Sequence, residues 1–304
     1  MKDIAAKTLK IALFGNVYQP KKSAAVQKLL SLLDERNAEL YIDKEFYHFL
    51  TENMRIGVQP AAIIDDNQFQ ADIAISMGGD GTFLKAASKV ADKQIPIVGI
   101  NMGRLGFLAD ISPDEIENLV DVLYSGAYDV ECRTVLAVHF YETGTDKEIT
   151  PKSYPFALND VAILKHDSSS MISIRTDINQ GYLTTYQADG IVIATPTGST
   201  AYSLSVGGPI LEPTSHTMEI TPVAPHSLNV RPVVLQDDSV IRLQVASRSH
   251  NYLVAIDGRS YSYPEKVEVR IQKADYEVRV IKRQNQTFFQ TLRQKMMWGA
   301  DNRD

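Results

Sequence analysis

Residues 71–91, ADIAISMGGDGTFLKAASKVA, leave few folds open to this chain. Residues 71–77 are a short apolar run of strand length, residues 78–81 are GGDG, and from there Phe83, Leu84, Ala87, Val90 and Ala91 recur along one helical face. A strand that passes through glycines straight into a helix is half of a β–α unit, and such units assemble into a parallel sheet with helices packed on it. The same alternation appears on both sides. LKIALFGN (9–16) reads as a buried strand, followed by Val26, Leu29, Leu30 and Leu33 at helical spacing behind a cap at Ser23. A weaker helical pattern surrounds residues 46–50, and IPIVGIN (95–101) is a further strand. After the loop MGRLGFLAD (102–110), Ser112, Pro113 and Glu115 spell a helix start with a capping box. Residues 1–127 therefore read as an α/β lobe with a parallel sheet.

The pattern then changes. ISIRTDINQGYLTTYQ (172–187) and YLVAIDGRSYSYP (252–264) are short β-branched runs joined by Asn179-Gln180-Gly181 and Asp257-Gly258, residues that accept the positive φ of tight turns. Residues 128–281 are expected to form a mainly antiparallel β lobe. Residues 282–304 are a helical tail, with Phe288, Leu292 and Met296 on one face, expected to pack back on the first lobe; Trp298 and the Phe288/Phe289 pair read as core. A length of 304 residues suits two such lobes.

Charge and cysteine usage narrow the partners. There are 31 Lys and Arg against 37 Asp and Glu, a net charge of −6, and no basic run follows a nucleic-acid backbone, so nucleic acid is not expected. Cys132 stands alone, and the six histidines show no zinc spacing. The start, MKDIAAKTLK, lacks the apolar core of a signal peptide, and no apolar run approaches the roughly 18 residues of a membrane span. The expectation is a cytoplasmic protein with no membrane partner.

The glycine loop carries chemistry. A strand-to-helix loop in an α/β sheet presents free amides beside the positive end of a helix, and Gly78, Gly79 and Gly81 let a polyphosphate approach the backbone. Neither GxxxxGK[ST] nor GxGxxG fits. Asp80 raises the cost of anion binding unless it holds a metal ion or accepts a proton, and phosphoryl transfer to an alcohol needs both services. Alternatively, Asp80 merely favours the start of the helix. Lys85, one turn later, steadies a phosphate or is simply a solvated helix residue, and spacing alone favours the second.

A second dense stretch runs from 188 to 209. Thr195, Thr197, Ser199, Thr200, Tyr202, Ser203 and Ser205 crowd around Gly198, a composition that suits ribose hydroxyls and amides or, equally, a Ser/Thr-rich helix cap. Asn159-Asp160 could read a base edge and a sugar, or form an Asx-turn. A serine hydrolase is disfavoured, because Ala201 stands where GxSxG needs its second glycine.

GGDGT (78–82), NMGRLGFL (101–108), LND (158–160) and DGIVIATPTGSTAYSLSVGGP (189–209), in this order and spacing, resemble the NAD kinase family over roughly residues 11–298. The resemblance implies transfer of a phosphoryl group from ATP to the 2′-hydroxyl of the adenosine ribose of NAD, with a divalent metal, magnesium, and a homodimer or homotetramer. It implies that Asp80 accepts the proton, that Gly78, Gly79, Gly81 and Thr82 meet the phosphates, and that Phe107 and Leu108 wall the adenine pocket. Asn159 and Asp160 match the pair on the adenosine half, with Asp160 where many members carry Glu. Thr197 and the run Thr200, Ala201, Tyr202, Ser203, Leu204 and Ser205 match the nucleotide-binding turn. Asp189 matches a position near the nicotinamide end, beside Gln187 where some members carry Arg, and Ala224 matches a pocket residue that often serves a neighbouring subunit. GGDGT alone is shared with lipid and sugar kinases, so such a kinase, or a dinucleotide-binding regulator without catalysis, is the alternative.

Overall fold

The computed structural model describes residues 8–17, 23–103, 106–167, 170–284 and 287–299. The side chain of Ser23, and Arg104 and Leu105 of the quoted loop, lie outside them. The chain divides into two compact units, one built from Met1–Cys132 with Val278–Asp304, the other from Arg133–Glu277.

The first unit has strands β1 (Lys10–Gly15), β2 (Glu39–Asp43), β3 (Ala62–Ile64), β4 (Ile73–Gly78), β5 (Ile97–Asn101) and β6 (Tyr128–Arg133). Its helices are α1 (Ser23–Glu35), α2 (Lys44–His48), α3 (Asp80–Val90) and α4 (Ile116–Ser125). Sheet order is β3-β2-β1-β4-β5, then Val278–Arg283, then β6. β1 pairs in parallel with β2 and β4, β2 with β3, and β5 with β4 and Val278–Arg283. β1, β4 and β5 are apolar along nearly their whole length because helices cover both faces. Leu29 and Leu33 of α1 and Ile116, Leu119 and Leu123 of α4 pack on Ile11, Ile75 and Ile100. Ser112 and Glu115 make the expected capping box, leading through a short 3₁₀ turn into α4. Two strands escaped the sequence reading: β2 and β3, the first short and running straight into α2. Residues 46–50 are helical as read, and the chain continues into a wider turn at Phe49–Asn53.

Residues 128–132 and 278–281, which the sequence reading places in the β lobe, hydrogen-bond in this first sheet. Each is a short segment that could pair in either sheet, so nothing local separates them. The C-terminal helix Phe288–Met296 starts at a capping box between Thr287 and Gln290 and buries Thr291 and Leu292. The core assignment of Phe289 and Trp298 is corrected here: they are 55% and 57% exposed. Phe289 lies roughly 100° around the helix from Phe288, off the inward face.

The second unit is two antiparallel sheets. One runs Val233–Gln236, Thr217–Val223, Gly190–Ala194, Asp160–Lys165, Asn251–Ile256, Arg259–Pro264. The other runs Gly181–Ala188, Ile172–Ile178, Ile241–Ala246, Val267–Lys273, Leu136–Glu142, Glu148–Ile149, with Phe156–Ala157 also on Leu136–Glu142. Alternate residues of each, such as Ile163, Ile191 and Ile193 against Ile174, Leu243 and Val269, form one core. Asn179 and Gln180, and Asp257 and Gly258, have the positive φ expected of their hairpins. No helix among the described residues is long and apolar enough to cross a membrane.

The returning strand is tied in by a buried ion pair, Lys282 Nζ to Asp110 Oδ2 at 2.6 Å. Lys282→Ala would leave Asp110 buried without its cation, and is expected to cost about 3–5 kcal/mol, read as a fall in the urea midpoint at constant m-value.

Candidate functional site

In the first sheet the chain leaves β1 on one side for β2 and β3, then returns on the other side for β4 and β5. The carboxyl ends of β1 and β4 are therefore a topological switch point, where open α/β sheets bind ligands. A cavity of about 370 Å³ lies there, lined by Gly15, Asn16, Val17, Glu45, Gly79, Gly81, Thr82 and Lys85. The glycines differ in kind. A Cβ on Gly78 would meet Thr82 Oγ1 at 2.1 Å, whereas one on Gly79 or Gly81 would meet nothing within 4 Å. Packing within the protein therefore does not require glycine at 79 and 81, and the space beside them is open to a ligand.

Lys85 is neither free nor merely solvated. Its ammonium lies 2.8 Å from Asp43 Oδ2 and 2.7 Å from Glu45 Oε2. Burial opposes its charge, but the hydrogen bonds and charges of these two carboxylates outweigh that and hold it above the usual lysine range. Asp43 is buried, while the Glu45 side chain is 72% exposed, so one partner is an anchor and the other can turn away.

Asp80 stands at the first position of α3, aimed at the loop that follows β5. Its Oδ2 accepts the amide hydrogen of Phe107 (3.0 Å), and its Oδ1 those of Leu108 (3.1 Å) and Ala109 (3.0 Å). A Cβ on Gly106 would meet Oδ1 at 2.0 Å, so only glycine lets the loop close on the carboxylate. GGDGT and NMGRLGFL, some 25 residues apart in the chain, are thus one structure, which brings Phe107 to the rim of the phosphate loop.

In the second unit Asp257 uses the same device. Its Oδ2 accepts from Leu158 N (2.8 Å) and its Oδ1 from Asn159 N (2.8 Å) and Asp160 N (3.2 Å). Thr195 Oγ1 donates to Leu158 O (2.6 Å) and accepts from Gly198 N (3.0 Å), joining the LND segment to the hydroxyl-rich turn. Ser199 bonds Pro196 O and Leu211 N, Thr200 bonds Thr197 O, and Ser203 donates to Thr221. Most hydroxyls of the run therefore build the turn itself. Tyr202 and Ser205 are exposed, Ala201 and Leu204 half-buried, and Thr197 is buried beside Arg133.

Beneath the turn lie unusual carboxyls. Asp160, Ala194 and Glu219 form one register row across three strands. Burial, then the charge of Asp257, pushes the Asp160 carboxyl up to about 7, against the Tyr202 amide that favours its anion. Burial likewise raises Asp257, in spite of its three amides and Arg259. Glu219 is fully buried, and burial pushes its carboxyl up to about 7 against the hydrogen bond of the Ser203 hydroxyl, which favours the anion. Asn159 Oδ1 is buried without a partner.

Gln187, Asp189 and Ala224 are elsewhere. Asp189 precedes and Thr195 follows the strand Gly190–Ala194, so the two groups sit at opposite ends of it, about 20 Å apart at about 3.3 Å per residue. Asp189 pairs with Lys165 (2.7 Å), its amide donates to Val223 O (3.0 Å), and Ala224 follows with φ +44°. Gln187 bonds Ser173, and Gln187, Asp189, Lys165 and Arg248 line a separate cavity of about 670 Å³.

Asp257, Glu219, Lys165 and Lys295 were not singled out from the sequence. Asp257 gave a signal, the Asp-Gly pair, but that signal reads only as a turn; the others carry no local mark. Among the described residues no group of three or more His, Cys, Asp or Glu is arranged to hold a metal ion.

Comparison with known proteins fits this geometry. The profile of the ATP-NAD kinase N-terminal domain matches residues 11–128, and that of the ATP-NAD kinase C-terminal domain matches residues 158–283. The NAD kinase of Bacteroides fragilis is 57% identical over 295 residues, 97% of this chain and 100% of that protein. The crystal structure of yeast NADH kinase complexed with NADH superposes with a TM-score of 0.85 at 22% identity, covering 97% of this chain and 89% of that one. An NAD kinase from Archaeoglobus fulgidus in complex with ATP gives 0.72 at 23% identity, covering 95% and 99%.

The raised carboxyls set a pH dependence. Folded Asp160 and Glu219 keep protons between pH about 4 and about 7 that the unfolded chain has released, so unfolding free energy falls as pH rises through that window and levels above it. Glu219→Gln cannot ionise; it is expected to flatten part of that fall and to be more stable than the parent at pH 8 by on the order of 2 kcal/mol, measured by urea titrations at pH 5 and pH 8.

Proposed function

The chain belongs to the NAD kinase family, phosphotransferases that make NADP from NAD, and we propose that Asp80 is the general base of that transfer and that GGDGT holds the phosphates of ATP. The observation that carries this reading is the open space over Gly79 and Gly81 at the β1/β4 switch point, directly beside a carboxylate. Asp80 Oδ1 is occupied by two amides, so Oδ2 is the oxygen that takes the proton of the 2′-hydroxyl of the adenosine ribose. As that proton leaves, the ribose oxygen attacks the terminal phosphorus of ATP, the phosphorus–oxygen bond to ADP breaks, and the products are NADP and ADP. The amides at the start of α3 and the Lys85 ammonium face the phosphates, and Glu45 gives up its hold on Lys85 as they enter.

A magnesium ion fits this site as a partner of the phosphates rather than of the protein. Such an ion keeps much of its shell in phosphate oxygen and water, with one or two carboxylates, and would neutralise charge on the transferred group. Asp80 and Glu45 are the carboxylates within the phosphate cavity and its rim.

The orphaned Oδ1 of Asn159 supports a role in receiving the adenosine half, since a buried acceptor without a partner suits a ligand donor. Asp160, Thr197, and the Thr200–Ser205 turn form its walls. Gln187, Asp189 and Ala224 serve the nicotinamide end from a neighbouring copy in a homodimer or homotetramer: their distance from the Thr195 end supports this, as do the exposed Tyr182 and Leu183 on the strand that carries Gln187. A lipid or sugar kinase shares only GGDGT and leaves the whole second unit unexplained.

Purified protein with NAD, ATP and magnesium is expected to yield NADP, detected by an NADP-specific dehydrogenase; Asp80→Asn should still bind NAD while kcat drops about 10²- to 10⁴-fold. Near-normal NADP formation by that variant would remove Asp80 from its role. Gly81→Ala should fold at least as well as the parent and Gly79→Ala, at the N-cap of α3, should fold with a modest loss of stability, because each new methyl enters open space, yet both should raise KM for ATP several-fold. An unchanged KM in both would place the phosphates elsewhere.

A further inference from the structure

The C-terminal helix brings a cation to the carboxylate on which this chemistry turns. Lys295 Nζ lies 3.6 Å from Asp80 Oδ2 and 4.2 Å over the centre of the Phe107 ring. Phe107 gives its amide hydrogen to that same oxygen and sets its ring against Phe288, the first residue of the helix, with centroids 6.3 Å apart. The contacts close a circuit: Asp80 to the Phe107 amide, the Phe107 ring to Phe288, then two turns of helix to Lys295 and back to Asp80. The circuit is held from outside as well, because the capping box at Thr287 fixes where the helix begins and buried Leu292 fixes its rotation.

The geometry at Asp80 gives the lysine a specific place. With Oδ1 taken by two amides, Oδ2 is the oxygen with room for a proton, and the ammonium stands at that oxygen. At 3.6 Å it attracts the carboxylate without making a hydrogen bond to it, so a lone pair stays open. The Phe107 face holds the ammonium at that distance through a cation–π contact.

We infer that Lys295 is a positioning residue for the phosphoryl transfer, keeping Asp80 in its loop-bound orientation and setting a fixed positive charge beside the oxygen that receives the proton. The inference rests on the reading of Asp80 as the base. A fixed charge there also offsets the negative charge that builds on the ribose oxygen and the moving phosphoryl group, which a mobile counter-ion would do less well. It makes the end of the chain part of the active apparatus.

The test compares Lys295→Met, Lys295→Arg, Asp80→Asn and the double variant for NADP formation at saturating NAD and ATP. Lys295→Met is expected to lower kcat about tenfold or more while KM for NAD stays within about threefold and the melting temperature is unchanged. Lys295→Arg should recover most of kcat, since charge is what matters, and Lys295→Met should add little on the Asp80→Asn background, because the two act as a unit. Normal kcat in Lys295→Met beside an inactive Asp80→Asn would overturn the role of Lys295 alone. An active Asp80→Asn would overturn the reading beneath it. A Lys295→Arg as slow as Lys295→Met, or a loss of kcat that tracks a fall in melting temperature, would assign the effect to packing and overturn the inference.

Discussion

A carboxylate that accepts several consecutive backbone amide hydrogens fixes the path of a loop in a way that apolar packing cannot, because each bond is charge-assisted and directional. Two aspartates do this here: Asp80 holds residues 107–109, and Asp257 holds residues 158–160. Each gathers a segment of the candidate site that is distant in sequence. Asp80 adds three bonds to the one by which Met102 N already meets Gly78 O, and Asp257 fixes Asn159 together with the bond from Thr195 N to Asn159 O. Asp80 therefore has two duties. It organises the loop with three of its acceptor positions and keeps part of Oδ2 for chemistry, which explains why Gly106 must be small enough to let the loop close.

The second unit shows how far a protein departs from ordinary carboxylate behaviour around a ligand site. Asp160 and Asp257 are buried near one another, and Glu219 is fully buried beside the Ser203 hydroxyl. Burial disfavours the charged form of each, and it pushes Asp160 and Glu219 up to about 7, far above the usual carboxylate range. Such sites cost stability, and they are usually retained where a ligand is bound.

Much of this was legible in the residues. The β–α alternation around GGDG gave the parallel sheet, the positive-φ turn residues gave the hairpins, and Ser112-Pro113-Asp114-Glu115 gave the start of α4 through its capping box. What could not be read has a common physical origin. β2 has five residues with charged ends and β3 only three, two of them exposed, so neither carries a strong period. Phe289 and Trp298 are large and apolar yet exposed: the cap at Thr287 sets the helix phase that turns Phe289 outward, and Trp298 lies past the left-handed Met297 that ends the helix. Lys85 looked like a solvated helix residue because its partners, Asp43 and Glu45, lie some forty residues earlier. The hydroxyl run suggested a ligand lining, and much of it proved to be the internal wiring of a turn, a distinction that depends on which way each side chain faces.

The strand Val278–Arg283 lies between β5 and β6 in the first sheet, and it leaves the ribosome only after the whole of Arg133–Glu277. The first sheet therefore cannot be completed before those residues emerge; the intervening antiparallel sandwich is free to fold while the largely apolar edge of β5 waits for its neighbour. An unpaired strand of that kind is a template for mispairing between nascent chains. Newly made copies should thus pass through an interval in which they need shielding, and a chain shortened by a few dozen residues at its end would remain in that interval permanently.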